Sequence, residues 1–350
     1  VIVQLPAVRY SFTNTDITLK DYIIPAGGAY FNGVKPCMLL DGSYRYLVRP
    51  ETEHAVSGGY FKEGVEHGFS ASVTLQPGHY KKYMVDGGIS EIREHELQAG
   101  DFYMKDGTII AKGTALDDTQ KQNCLGVVYW VGDATASDPI LKNEHPNCVH
   151  ALVCAMKEGD PVYWQYRNED YLHTIENWVG ENTDGYANMM TGTQPESNMN
   201  RIIGYNNTHA MERFNDAPEN DSYQLDIIDK LYDFRTTYVA PEFCSGWYVP
   251  SIKELYMMYS SDQPDIYNEF FPSAINYNML QPLFENMGGY ADVFDRPMPD
   301  NPRYTYEYYY SSSEHNVYKV WCVNFGKYGY GYVGETDKAS VSRTRYILAF

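Results

Sequence analysis

The residues best suited to chemistry are few and scattered. His145-Pro146-Asn147-Cys148-Val149-His150, with Cys154 beyond it, offers the nitrogen and sulfur donors of a zinc site. Its spacing fits no zinc module. Asp117-Asp118 pairs two carboxylates, which a surface turn explains. No Gly-x-Ser-x-Gly elbow, P-loop or His-Glu-x-x-His pair occurs. Asn206-Asn207-Thr208 fits the N-glycosylation pattern and reads as a polar loop. What stands out is aromatic: 34 tyrosines, ten of them in the last fifty residues. They group as Tyr308-Tyr309-Tyr310, as Glu314-His315-Asn316 with Tyr318, and as Tyr328, Tyr330 and Tyr332 between glycines. Tyrosine gives large amphipathic contact area at low conformational-entropy cost, so the chemistry it favours is non-covalent binding. It is also a good strand former that covers half-buried sheets.

The elements that must position these side chains divide into two regions. Residues 1 to about 97 alternate in short runs, such as Val8-Arg9-Tyr10-Ser11-Phe12, Tyr44-Arg45-Tyr46-Leu47-Val48 and Phe69 to Leu75, with Gly and Pro between them. That pattern predicts an all-β sandwich or barrel. Beyond a boundary near residues 94–100, a hairpin turns at Asp106-Gly107, and a polar helix-like turn covers Asp117 to Asn123. Strands follow at Leu125–Val131 and Ala151–Met156. Helices are predicted from Asp226 to Phe234 and after Ser251, where Ser251 and Glu254 form a capping-box pattern and Ile252, Leu255 and Met258 line one face. Residues 180–222 and 259–305, rich in Asn, Asp, Gly and Pro, read as long functional loops. Strands close the chain at Tyr308–Ser312, Val320–Phe325 and Arg345–Phe350.

Composition narrows the function. At 350 residues the chain has room for two domains. Its net charge of −19 repels a phosphate backbone and an anionic membrane surface, so no nucleic acid is expected among its partners. No apolar run reaches the 18 residues of a transmembrane segment. Val1 to Ala7 show no signal-peptide pattern, and the expectation is an exported protein whose signal has been removed. Cys37, Cys124, Cys148, Cys154, Cys244 and Cys322 allow two or three bridges in an oxidising compartment, or buried free thiols.

Several motifs together resemble known families. Gly246-Trp247-Tyr248-Val249-Pro250-Ser251, then Glu254-Leu255, Tyr310-Ser311-Ser312-Ser313-Glu314, Trp321 with Val323, Phe325 and Gly329, and Arg345 with Leu348-Ala349-Phe350 resemble the Lcl-type C-terminal domain. That domain is a branch of the C-type-lectin-like and formylglycine-generating-enzyme-like folds. Tyr44-Arg45-Tyr46-Leu47-Val48-Arg49-Pro50 and the strand at Ser57-Gly58 look like fimbrillin-type pilus subunits. The resemblance implies an all-β, fimbrillin/transthyretin-like sandwich at 1–97 followed by an α+β C-type-lectin-like ligand-binding domain at 98–350. Some relatives are the variable products of diversity-generating retroelements, and the Tyr-rich C-terminal segments look like such a surface.

The expected function is therefore a non-catalytic pilus-tip or cell-surface adhesin of a Gram-negative bacterium, exported through the outer membrane. It would join other pilus subunits by strand addition. It would bind a host or microbial surface protein or glycan through Tyr308, Tyr310, Glu314, His315, Asn316, Tyr318, Tyr328, Tyr330 and Tyr332. Two rival readings stand beside it. Gln263-Pro264-Asp265 resembles the calcium and sugar motif of true C-type lectins, which makes calcium the one cofactor in view; a turn after a helix explains the same residues. An enzyme of the formylglycine-generating type would need a late cysteine pair, and only Cys322 follows Cys244.

Overall fold

The computed structural model describes residues 13–18, 29–31, 37–38, 43–48, 51–62, 65–74, 80–86, 89–95, 97–187, 199–261, 265–266, 271–294, 297–298, 301–305, 308–325 and 331–350. The chain forms two compact units, Val1–Leu97 and Gln98–Phe350.

In the first unit every described element is a strand. A five-stranded sheet has the order β3-β4-β1-β7-β8, from β1 (Thr13–Thr18), β3 (Cys37–Met38), β4 (Ser43–Val48), β7 (Tyr80–Asp86) and β8 (Ile89–His95). A three-stranded sheet has the order β2-β5-β6, from β2 (Ala29–Phe31), β5 (His54–Lys62) and β6 (Val65–Val73). The expected runs at Tyr44–Val48 and from Phe69 fall in β4 and β6; Val8–Phe12 lies outside the described residues. Hairpin β5–β6 pairs without a register break from His54↔Val73 to Lys62↔Val65. Within the larger sheet β1 is antiparallel to β4 but parallel to β7, so its neighbours cannot all be joined by hairpins.

The second unit mixes strands and helices around one core. Its main sheet has the order β10-β9-β11-β12-β20, with β9 (Phe102–Met104), β10 (Ile109–Ile110), β11 (Cys124–Val131), β12 (Ala151–Ala155) and β20 (Ile347–Ala349). Every residue of β12 and β20 is buried. Strands covered on both faces read as unbroken apolar runs, which is why they are visible in the sequence. The β9–β10 turn is set by Gly107 at φ +79°, while the Asp106 carboxylate accepts from the Thr108 N–H at 3.0 Å. Two short pairs are formed by β13 (Val162–Tyr163) with β19 (Val341–Ser342) and by β14 (Pro297–Met298) with β15 (Asn301–Thr305). A three-stranded antiparallel sheet joins β16 (Tyr308–Glu314), β17 (Lys319–Asn324) and β18 (Tyr332–Asp337).

Among the described residues the α-helices are α1 (Asp118–Asn123), α2 (Pro139–Glu144), α3 (Asn168–Tyr171), α4 (Ile175–Asn182), α5 (Gly204–Asp216), α6 (Asp226–Thr237), α7 (Ile252–Ser260) and α8 (Ile275–Met287). Helices α5 and α8 correct the reading of 180–222 and 259–305 as loops. The Asn206-Asn207-Thr208 acceptor pattern, read as a polar loop, is buried inside α5. There the Asn206 N–H donates to Asp138 at 2.8 Å and Thr208 bonds to Val249. A glycan could not be attached to it in the folded protein.

Helix α7 is buried on all sides rather than along one face, as befits a helix at the centre of a core. Its predicted capping box is formed: Ser251 accepts from the Glu254 N–H, and Glu254 accepts from the Ser251 N–H at 2.6 Å. Burial pushes the Glu254 carboxyl up to about 7 against the lowering effect of its hydrogen bonds, and burial pushes Asp138 up to about 6. A carboxyl whose folded pKa is raised binds its proton more tightly in the folded state. Its contribution is therefore fully present below the unfolded pKa, near 4, and is lost as pH rises through the folded value. Between pH 4 and 7 Glu254 alone should cost about 3 kcal/mol of stability. Denaturant midpoints measured at pH 5 and 8 should differ in the wild type and differ much less in Glu254→Gln; equal slopes in both proteins would refute this.

Candidate ligand-facing surface

Sheet β16-β17-β18 carries most of the tyrosine-rich C-terminus. Its register pairs Tyr308 with Asn324 and Asn324 with Tyr332, so these three form one row on one face. Tyr308 is 42% exposed and Tyr332 38%. Phe271, at 70% exposure, packs its ring 5.2 Å from that of Tyr332. The Tyr332 ring also lies against Gly334, where a Cβ would sit 2.2 Å from the ring. Phe271 is not marked by the sequence, where it follows Phe270 as an ordinary apolar pair that a core would bury.

A second group lies at the other end of β17, roughly 17 Å away at the ordinary rise of a strand. The connection from β16 to β17 is shaped by Asn316, whose side-chain oxygen accepts from the N–H groups of Tyr318 and Lys319, both at 2.9 Å. This turn holds out Tyr318, 49% exposed. His315 stands edge-on to Trp321 at 4.7 Å, with its Nε2 2.9 Å from Glu335. Burial holds His315 below the ordinary histidine value, and the nearby Glu335 works in the opposite direction. Lys319 reaches the same carboxylate.

Two of the expected contact residues are interior and are corrected here. Tyr310 is fully buried, with its hydroxyl directed at the carbonyl of Ser340. Glu314 is fully buried, paired with Lys338, and accepts from the N–H groups of Ile175 and Glu176 at 3.0 Å each. Neither is available to a ligand on the surface. Tyr309, between two candidates, is also in the core. Tyr328 and Tyr330 lie outside the described residues.

The two segments that carry the lectin-like resemblance meet in space, and their role there is architectural. The Ser312 N–H donates to the Pro250 carbonyl at 2.8 Å, and the Ser313 hydroxyl accepts from the Ile252 N–H at 3.1 Å. Tyr248 and Ile347 exchange backbone bonds of 2.9 and 3.1 Å. Together these contacts lock the start of α7 to β16 and β20.

The calcium candidate lies partly outside the described residues, and the zinc candidates are not brought together. Gln263 lies outside the described residues. Asp265 accepts from Asn200 at 2.9 Å, and Asn200 accepts in turn from the Ile266 N–H, which closes a loop. Among the described residues no group of three or more His, Cys, Asp or Glu is placed to hold a metal ion. The zinc candidates are dispersed: Cys148 turns to the Ala349 carbonyl, Cys154 to Met258, and His145 to the Tyr205 ring. Of the two cysteine readings, Cys124, Cys148, Cys154, Cys244 and Cys322 follow the second, as buried free thiols. Burial pushes Cys154 and Cys322 up to about 12, which makes them poor nucleophiles.

No family model matches the chain. Among the described residues no helix is long and apolar enough to cross a membrane. Over 360 aligned residues the chain is 26% identical to a protein of Bacteroides ovatus named "Putative fimbrium tip subunit Fim1C"; the alignment covers 93% of this chain and 61% of that protein. The chain thus spans about 61% of the length of this curated relative. The crystal structure of a fimbrial protein from Bacteroides ovatus matches 97% of this chain and 71% of its own, with a TM-score of 0.55 and 21% identity. In fold, the chain is similar to a fimbrial protein along nearly its whole length.

Proposed function

We propose that this chain is a non-catalytic subunit at the tip of a cell-surface fimbrium and makes its outward contacts through the aromatic face of β16-β17-β18. The observation that carries the first part is similarity over 93% of the chain to a protein named as a fimbrium tip subunit. It is not an enzyme: the proteins it resembles are fimbrial. The cell it serves is Gram-negative, and it reaches the surface through the outer membrane. The second unit is read as C-type-lectin-like from the motifs around Trp247 and Ser311–Ser313. Variation of its C-terminus by a retroelement remains part of this reading, because exposed Tyr308, Tyr318 and Tyr332 can change without touching the core.

Neighbouring subunits are joined by strand addition to the first unit. Among its described strands β6 is nine residues long and lies at the end of its sheet, an edge of the length a donated strand requires. Expressed with other subunits of its fimbrium, the protein should elute within an assembly; a chain that stays monomeric with every partner overturns this part.

For the outward contact, Tyr308, His315, Asn316, Tyr318 and Tyr332 supply the described surface. Rigid aromatic anchors dominate such interfaces. On a glycan and host-protein array, Tyr308→Ala, Tyr318→Ala and Tyr332→Ala should each weaken binding by about 1–2 kcal/mol, roughly 5- to 30-fold, and EDTA should change nothing. Loss of binding in EDTA with the tyrosine variants unaffected would favour the calcium-dependent sugar site at Gln263 and Asp265.

A further inference from the structure

We infer that a cleft of about 290 Å³ in the second unit is a binding site for a sugar acid, a single ring carrying a carboxylate. It shares no lining residue with the aromatic face of β16-β17-β18. Three lysines line it: Lys105 beyond β9, Lys121 on α1 and Lys157 beyond β12. Phe234 and Tyr238 come from the C-terminal end of α6, and Tyr290 follows α8.

The charge is the unusual part. The chain carries −19 overall, yet three lysines and no acidic residue line this cleft. Lys157 is already engaged, donating to the Gly289 carbonyl at 2.8 Å and lying 3.5 Å from Asp292. The ammonium groups of Lys105 and Lys121 make no ion pair among the described residues. One structural explanation is that the lysines satisfy the carbonyls at the end of α6. Several carbonyls there have other donors, however, and neither ammonium donates to any of them among the described residues. Thr236 and Thr237 hydroxyls reach Tyr232 and Asp233, the Tyr238 N–H reaches Phe234, and the Trp247 indole reaches the Tyr238 carbonyl at 2.6 Å. Two positive charges are left over for an anion from outside.

The remaining walls say which anion. Tyrosine and phenylalanine rings offer flat apolar faces, and the two tyrosines add a hydroxyl each at the ring edge, which suits the C–H face of a sugar ring. The volume sits at the small end of ligand sites, which run from roughly 300 Å³, so one ring fits and a chain of rings would protrude. Lysine, a compact point charge, holds a carboxylate without demanding the fixed bidentate geometry of arginine.

The full chain should be titrated with sodium glucuronate, with glucose and with inorganic phosphate, followed by calorimetry. Glucuronate is expected to saturate, with glucose and phosphate at least about tenfold weaker. Lys105→Gln/Lys121→Gln should melt like the wild type and lose at least about tenfold in glucuronate affinity. The Tyr308, Tyr318 and Tyr332 variants should bind glucuronate unchanged, which keeps this test separate from the aromatic surface. No saturation by glucuronate, equal binding of glucose or of phosphate, or an unaffected double-lysine variant would each overturn the assignment.

Discussion

Replacing Glu158 with Gln should destabilise the second unit by about 3–5 kcal/mol, the largest loss expected from any isosteric change in this protein. Glu158 is buried between two arginines that are themselves buried, Arg343 at 3% exposure and Arg345 at 0%. One carboxylate oxygen pairs with Arg343, and the other pairs with Arg345 at 2.5 Å and takes a hydrogen bond from Tyr309. Arg345 also donates to the carbonyls of Ala155, Met156 and Asp292, and its guanidinium lies over the rings of Phe284 and Phe294 at 5.0 and 4.6 Å. The carboxylate therefore joins β12, β16, α8 and the C-terminal segment. Glutamine keeps the shape and removes the charge, leaving two buried guanidinium groups without their counter-ion, and the cost of an uncompensated buried charge dominates. Tryptophan fluorescence through guanidinium denaturation reads the change, since Trp164, Trp247 and Trp321 all sit in this unit. A midpoint shift equivalent to less than about 1 kcal/mol would place Glu158 in the class of weak pairs and sink the argument. Arg343→Met on the Glu158→Gln background should restore part of the loss, because it removes one stranded charge.

How far the sequence revealed this architecture depends on whether the forces acting were local. The capping box at Ser251 and Glu254 and the Asp106-Gly107 turn rest on neighbouring residues, and both are formed as expected. The run Ala151–Met156 is apolar throughout because both faces of β12 are covered, so that strand is legible too. Helix α5 is not, because its first residues are Gly, Tyr, Asn, Asn and Thr, which are poor helix formers. Distant partners hold it: Asp138 takes the Asn206 N–H, and Asn207 donates to Ser312. In α8 the interior Pro282 argues against a helix, yet Tyr277, Leu280, Phe284 and Met287 recur at helical spacing. Asn276 then anchors the helix to the carbonyls of Tyr129 and Met257 at 2.8 and 2.7 Å. That periodicity was available in the sequence, and the proline obscured it.

The tyrosine count shows the same limit in a different form. Composition suggested a binding surface, but Tyr103, Tyr129, Tyr248, Tyr256, Tyr259, Tyr309 and Tyr310 are among the largest fully buried side chains. Along β16 the neighbours Tyr308 and Tyr309 divide by strand alternation, one exposed and one in the core. Tyr310 shares a face with Tyr308 and is covered nonetheless, by the segment around Ser340. A row of tyrosines in a sequence therefore identifies a sheet more surely than it identifies which side chains reach the solvent.

Glu314 tests whether the C-terminal segment binds through its buried charges or only through its exposed rings. Glu314→Ala should cost about 3–5 kcal/mol, for two reasons that add. Lys338 would lose its partner while remaining fully buried over the Trp164 ring at 4.9 Å. The N–H groups of Ile175 and Glu176 would lose the carboxylate that caps the positive end of α4, leaving only the bond from Asn177 to the Thr174 hydroxyl. Glu314→Ala/Lys338→Met removes the stranded ammonium and should recover much of the stability, since an apolar side chain of similar length fills the same space. The double variant is the informative protein in a binding assay, because it keeps the fold while lacking the carboxylate. If Glu314 touched a ligand, this variant would melt near the wild-type temperature and yet fail to bind. The buried geometry predicts that it melts near that temperature and binds as the wild type does, with affinity falling only when Tyr308, Tyr318 or Tyr332 is also removed.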